Sequence, residues 1–424
     1  MLTYLPWILV AILGATTLFL LWAVWSIKLE LRTHWSEVGA IEPGPRFETM
    51  IATLSLSSLT HGNKVELLHN GDQYFPALFS AIRGATVSVH FETFLWKTGT
   101  CSAMLVEALC ERARAGVPVR VLLDGIGGKI SDEERATLDA AGVHVSFFSH
   151  QLLKNIGEYN TRDHRKIAIV DGRVGFIGGH CITDDWLGNA QDRKHFRDIT
   201  ARVEGPIVTQ LQGAFSDNWT ESAGELLVGE DLYPEQPQKG SATAHLAYLS
   251  LARRSSSVKI LHHLAIESAK HEILIQNPYF LPFSGARDAL CRARKRGVRV
   301  RVMIPALEAT DAKLVSHATS HALRPLLECG VEIYLYQRTL LHQKVFVIDR
   351  AWSAIGSTNF DERSMDINEE ISMSVFDEDL AAELAETFDA DLRHTTRLGL
   401  EEWSARPLLE KAQDWVAWRL RAQL

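Results

Sequence analysis

The chain has 424 residues, 46% of them hydrophobic and 23% charged, with a formal net charge of −8. That profile suits a globular protein long enough for two domains and excludes wholesale disorder. The negative balance argues against a dedicated nucleic-acid binder, which carries a basic footprint.

From Leu2 to Ile27 no side chain is charged. As a helix this run spans ~35–40 Å at about 1.5 Å per residue, enough to cross a bilayer. Trp7 and Trp25 stand near its two ends, where interfacial aromatics belong. A cleaved signal peptide would need a basic leader and a shorter apolar core. An uncleaved transmembrane anchor over residues 1–27 is therefore expected. Lys28, Arg32 and Arg46 follow it, which by the positive-inside tendency puts the main body in the cytoplasm. The five cysteines, Cys101, Cys110, Cys181, Cys291 and Cys329, are odd in number and fit no zinc spacing. Reduced thiols are expected.

Residues 28–63 read as a connector. Phe75, Leu78, Phe79 and Ile82 recur at helical spacing, and the alternating run Val87–Val89–Phe91 reads as a strand. A helix over about 101–114 and a strand from Gly116 follow. Residues 226–243 are rich in Pro, Gly and polar types and read as a linker. Beyond it the same order returns: a helix around 258–269, a strand in HEILIQNPYF, a helix over about 285–296, and a strand from Gly297. Strands alternating with helices predict an α/β fold. The repetition predicts two duplicated domains, 64–240 and 241–400, with mixed, largely parallel sheets. Residues 401–424 complete the chain as an amphipathic helix that either lies in a membrane interface or packs on the body.

Each half carries one polar constellation. The first is HRKIAIVDGRVGFIGG, with His164, Lys166, Asp171 and Gly178–Gly179; the second is HQKVFVIDRAWSAIGS, with His342, Lys344, Asp349 and Gly356–Ser357. Both read H-x-K-x4-D-x6-G-[GS], and two copies in matching halves make chance a poor explanation. His and Lys two apart on a strand project to one face. An apolar strand, a turn at the aspartate and a second strand ending in small residues complete a hairpin. Two such ends facing each other surround one pocket with two imidazoles and two ammonium groups. The lysines hold the oxygens of a phosphodiester. One imidazole attacks phosphorus and the other protonates the leaving alkoxide. This chemistry needs no metal or other cofactor.

With these paired motifs the sequence resembles the phospholipase D superfamily, in particular its bacterial cardiolipin synthase-like branch. The likeness extends from about residue 64 to 400. It includes ETFLW (Glu92–Trp96), FRDITARVEGP (Phe196–Pro206), NPYFLP (Asn277–Pro282) and GSTNFDERSMDINEE (Gly356–Glu370). The resemblance implies two α/β domains sharing one site, with His164 as nucleophile and His342 as general acid and then base. It implies phosphate binding by Lys166, Lys344 and Asn359, with Ser357 and Gly179 beside them. Asp171 and Asp349 complete the motifs in a mainly structural role. Asp198 and Glu370 match the positions that orient the histidines, assigned to His164 and His342 respectively. Cys181 stands where the first motif often has asparagine, and a thiol is the poorer donor. The implied activity is transfer of a phosphatidyl group between phosphatidylglycerol molecules at a bacterial cell membrane. The partners are then anionic phospholipids and the bilayer rather than nucleic acid. A hydrolytic phospholipase D is the alternative reading, and a tethered nuclease a weaker one.

Overall fold

The computed structural model describes residues 5–26, 44–148, 161–249 and 256–421. Leu5–Ser26 is one helix of 22 residues without a charged side chain. Within it, side chains are described only for residues 7 and 9–19. Among the described residues no helix is long and apolar enough to cross a membrane, so the fold does not establish the expected anchor. Lys28, Arg32 and the rest of the expected connector up to residue 43 lie outside the described residues. In its described part Pro45–Leu54 is a helix, with proline in its first turn, and Thr60 opens a strand.

Seventeen strands follow in chain order among the described residues. The first half holds β1 (Thr60–His69), β2 (Val89–Thr93), β3 (Trp96–Lys97), β4 (Val119–Asp124), β5 (Gly128–Lys129), β6 (His144–Phe148), β7 (Ile167–Val170), β8 (Val174–Gly178) and β9 (Ile199–Glu204). The second holds β10 (Ala242–Tyr248), β11 (Glu272–Gln276), β12 (Arg299–Pro305), β13 (Glu332–Tyr336), β14 (Val345–Ile348), β15 (Trp352–Gly356), β16 (Ile371–Phe376) and β17 (Thr395–Leu398).

All but β3 and β5 join one 15-stranded sheet in the order β17-β13-β12-β11-β14-β15-β16-β10-β1-β9-β8-β7-β2-β4-β6. Apart from β17 the order is a palindrome about the β10–β1 pair, which is the expected duplication in physical form. The two halves meet antiparallel there, with Thr60 opposite Ala244 and Asn63 opposite Ala242. Buried Asn63 fastens this joint, donating to Ala242 O at 3.1 Å and accepting from Ile207 N at 2.8 Å.

The sheet is mixed, as expected, but not largely parallel. Within it only β2–β4, β4–β6, β11–β12 and β12–β13 are parallel. The parallel pairs need helical crossovers, which each half supplies only on its outer side. Nearer the joint each motif hairpin and the strand after it form an antiparallel meander, β7-β8-β9 and β14-β15-β16.

Burial follows the pleat. Ile167 and Ile169 of β7 enter a core that runs across both halves, beneath the helices Ile207–Ala223 and Glu378–Asp391. Ala168 and Val170 face a second core, filled by Tyr74, Phe75, Leu78, Phe79 and Ile82 of the helix Asn70–Arg83. A helix Leu408–Leu420 packs near the end of the chain, alongside the helix Lys313–Glu328. The cysteine expectation is corrected: Cys291 and Cys329 form a disulfide, while Cys101, Cys110 and Cys181 are free and buried. A structural disulfide suits an oxidising compartment, so the cysteines give no support to a cytoplasmic body.

Candidate active site

The motif turns explain the aspartates. Asp171 and Gly172 have φ of 54° and 60°, and Asp349 and Arg350 have 53° and 52°. These left-handed pairs, closed by Arg173 N–H to Val170 O and Ala351 N–H to Ile348 O, form tight primed turns matched to strand twist. The Asp171 carboxylate accepts from the backbone N–H groups of Thr86, Val87 and Ser88 at 2.7–3.1 Å. Asp349 accepts from Lys270, His271 and Glu272 at 2.7–2.8 Å. Each aspartate therefore tethers the approach to β2 or β11, at the end of its hairpin away from the histidine. These contacts fit the mainly structural role that the resemblance implies for both aspartates. Asp171→Ala is expected to lower stability by about 3 kcal/mol, since backbone donors lose a charged acceptor. Its residual folded fraction should keep its turnover number. Thermal unfolding combined with active-site titration checks both halves of that expectation.

The histidines sit just before the strands rather than in them. β7 starts at Ile167 and β14 at Val345, so His164, Lys166, His342 and Lys344 occupy extended segments leading in. These segments are held by the opposite half. Asp163 bridges Glu369, and His164 N–H donates to Glu369 O at 2.9 Å. Arg197 bridges Leu341, and His342 N–H donates to Arg197 O at 2.8 Å. Each motif thus reaches the site only with the other half docked.

The carboxylate pairing is crossed. His164 Nδ1 lies 2.8 Å from Glu370 Oε1, and His342 Nδ1 lies 2.7 Å from Asp198 Oδ2. This corrects the assignment of Asp198 to His164 and Glu370 to His342. The residue types were the right ones, but each histidine takes its acid from across the joint. The lysines behave alike: Lys166 Nζ donates to His164 O at 2.6 Å and Lys344 Nζ to His342 O at 2.7 Å. Lys344 Nζ also lies 2.9 and 2.8 Å from the two ring nitrogens of His342. An aromatic edge steadies each imidazole, Phe94 for His164 and Trp186 for His342, both with ring centroids 4.9 Å apart. Phe94 lies in the ETFLW stretch, whereas nothing in the sequence marks Trp186.

The site is buried, and its electrostatics follow from that. Burial lowers His164 well below the usual imidazole range, and the nearby charges of Lys166, Lys344 and Arg363 lower it further. Burial and Lys344 bring His342 to about 4, against the opposing pull of Asp198. Glu370 joins Ser357 of the second motif to His164 of the first, and Asp198, against Gly179 of the first motif, holds His342 of the second, so both motifs are tied together. Burial, opposed by Asp198 and reinforced by Lys166, brings Lys344 to about 7.

The two carboxyl groups differ. Burial raises Glu370 to about 8, against the opposing pull of Lys166 and Ser357. Asp198 is held below the carboxylate range: burial alone would raise it, but His342, His180 and Lys344 outweigh burial. Asp198 also accepts from Trp186 Nε1 at 2.7 Å and Ile199 N at 2.8 Å.

The expected phosphate ligands divide. Asn359 is buried, and its carboxamide oxygen has no hydrogen-bond partner. Ser357 is committed elsewhere, its hydroxyl donating to Glu370 Oε2 and accepting from Ile371 N. It positions the carboxylate. Gly179 is a spacing residue, for a Cβ there would lie 2.3 Å from Asp198 Oδ1. Cys181 is buried with its thiol 3.9 Å from Gly179 O. His180 packs into the core, stacked on Tyr74 and bonded to Thr200 Oγ1 at 2.8 Å.

Two stretches of the chain, residues 78–219 and 263–392, match the family described as cardiolipin synthase, PLD-like domain. A cardiolipin synthase A of Pseudomonas fluorescens is 35% identical over 344 residues, covering 80% of this chain and 71% of that protein. A minor cardiolipin synthase of Bacillus subtilis is 32% identical over 362 residues, covering 83% of this chain and 87% of its own. The crystal structure of phosphatidylserine synthase from Haemophilus influenzae superposes with a TM-score of 0.67 at 14% identity, covering 89% of this chain and 98% of that one. That last likeness is one of fold alone. The two matched segments each contain one H-x-K-x4-D motif, and with relatives at this identity along most of its length the chain belongs to the cardiolipin synthase family of phospholipase D-like proteins.

Proposed function

We propose that this chain is a phosphatidyltransferase that makes cardiolipin and glycerol from two phosphatidylglycerol molecules. The observation that carries the reading is the crossed pairing, His164 with Glu370 and His342 with Asp198, in a buried site with two lysines. His164 Nε2, left free by the bond at Nδ1, attacks phosphorus. The P–O bond to glycerol breaks, and His342 Nε2 gives its proton to the departing alkoxide. An anionic phosphodiester between the lysines offsets their field and so raises His342 into its acid role. Lys166, Lys344 and Asn359 hold the non-bridging oxygens. A hydroxyl of the second phosphatidylglycerol then loses its proton to His342 and attacks phosphorus, and the N–P bond breaks. A buried site disfavours water as the competing acceptor.

Purified protein given labelled phosphatidylglycerol should yield cardiolipin and glycerol in equal amounts. Phosphatidic acid as the main product would make the enzyme a hydrolase instead.

The pH profile has a predicted sign. Lys344 titrates at about 7 in the free protein and loses its charge above that. The ratio kcat/KM for phosphatidylglycerol should therefore fall as pH rises through about 7. Bound phosphate favours the ammonium form, so the matching limb of kcat should lie at higher pH. Steady-state rates across the neutral-to-alkaline range check this, and a flat kcat/KM would contradict it.

Membrane attachment belongs to the same proposal, with residues 1–27 as the anchor of an enzyme whose substrates are lipids. Lys28, Arg32 and Arg46 favour a body on the cytoplasmic side. Labelling of a cysteine substituted at an exposed body position, in intact and in opened cells, reads that orientation.

A further inference from the structure

The helix Leu408–Leu420 is two-faced in a way its packing does not require. Its inner side is tied to the body. Asp414 meets His317 and Arg406 at 2.7 Å each, Ala417 is buried with Leu281, Ala318 and Ala322, and Trp418 lies against His321. Its outer side exposes Leu408 at 83%, Leu409 at 71%, Trp415 and Val416 at 51% each, and Leu420 at 47%. At about 100° per residue these positions form one continuous stripe, with Ala412 and Arg419 within it.

The charges are sorted in the same way. Arg419 lies on the stripe, with its guanidinium 5.2 Å from the Trp415 ring centroid, and both carboxylates, Glu410 and Asp414, are on the side turned to the body. An outward face of large apolar groups, an interfacial indole and a cation, with no acid, complements a surface that is apolar beneath and anionic at the headgroups. The helix also ends against the segment that follows the second motif. Arg421 Nε lies 3.7 Å from Glu362, which opens the helix Glu362–Asp366 just beyond Asn359. Leu281, beneath Ala417, belongs to the NPYFLP stretch.

We infer that the outer face of Leu408–Leu420 docks on an anionic bilayer and seats the site mouth against it. Deepening the proposed reaction, this assigns a surface that brings the buried site to its lipid. It is a surface of the body, distinct in sequence from any anchor at residues 1–27. The occupant is the bilayer rather than a second copy of the chain, because the cation and the absence of acids suit phosphate headgroups, and the stripe is not self-complementary in charge.

The test uses the full chain with Val416→Cys carrying an environment-sensitive fluorophore, since Cys101, Cys110 and Cys181 are buried and Cys291 and Cys329 are paired. The protein is mixed with phosphatidylglycerol vesicles containing a lipid spin-labelled high on its acyl chain. The expected result is a blue shift with quenching, both lost when Leu409→Ser and Trp415→Ser are added. That pair of changes should also slow turnover of vesicle phosphatidylglycerol while sparing a short-chain, monomeric analogue. An unquenched probe on vesicle-bound protein would overturn the inference. So would a blue shift that needs no vesicles and grows with protein concentration, the mark of a second copy. Quenching in a protein that turns over no phosphatidylglycerol would leave the docking surface standing and end the reaction proposed above.

Discussion

His164→Ala and His342→Ala are each expected to cut phosphatidylglycerol turnover by ~10³-fold or more, the scale of losing a positioned nucleophile or general acid. Neither loss should come from unfolding. Both imidazoles are buried, but each is a modest side chain at the end of a hairpin whose own strands are fully paired. The two variants should fail differently. Without His164 no covalent intermediate forms from any substrate. Without His342 the first step still proceeds when the leaving group needs no proton, such as a nitrophenolate. Burst amplitude with a nitrophenyl ester separates the two, and a normal burst from His164→Ala would contradict its role as nucleophile.

Asp198→Asn and Glu370→Gln are expected to follow the crossed pairing. An amide cannot stabilise the imidazolium and can fix the wrong tautomer, a loss of ~10⁴-fold in a comparable His–Asp arrangement. Asp198 touches His342, so Asp198→Asn should retain the nitrophenyl burst and lose turnover with phosphatidylglycerol. Glu370 touches His164, so Glu370→Gln should slow the burst itself. A pairing within each half would exchange the burst phenotypes, which pre-steady-state kinetics reads directly.

How much of this could be read from residues alone follows the range of each interaction. The motif spacing is local, so the hairpins, their turns and the four His and Lys side chains were all legible. So were the outer helices and strands, whose periodicity needs no partner. The strands β1 and β10 were not, because what marks them is the joint they form with each other. The crossed carboxylates lie 206 and 144 residues from their histidines. Their pairing depends on how the halves dock, which no pattern within either half records. The largely parallel sheet was a misreading of the same kind: repeated helix–strand order is visible, but the strands of the antiparallel meander at the joint have no long crossover helix between them.

Ser357 and Gly179 show a subtler limit. Small residues after a strand suggest room for a ligand, yet here one supports Glu370 and the other makes space for Asp198. The disulfide between Cys291 and Cys329 closes a separation of 38 residues, and an odd count of cysteines gave no hint which two would meet.

The proposed reaction passes one phosphorus through one imidazole in a site built by both halves. The most direct measurement is to quench His342→Ala with a nitrophenyl phosphatidyl ester labelled at phosphorus and map the label on the chain. Acid-labile label on His164, lost when His164→Ala is added, is the predicted result. Label on another residue, or no covalent intermediate at all from a folded protein, would contradict it.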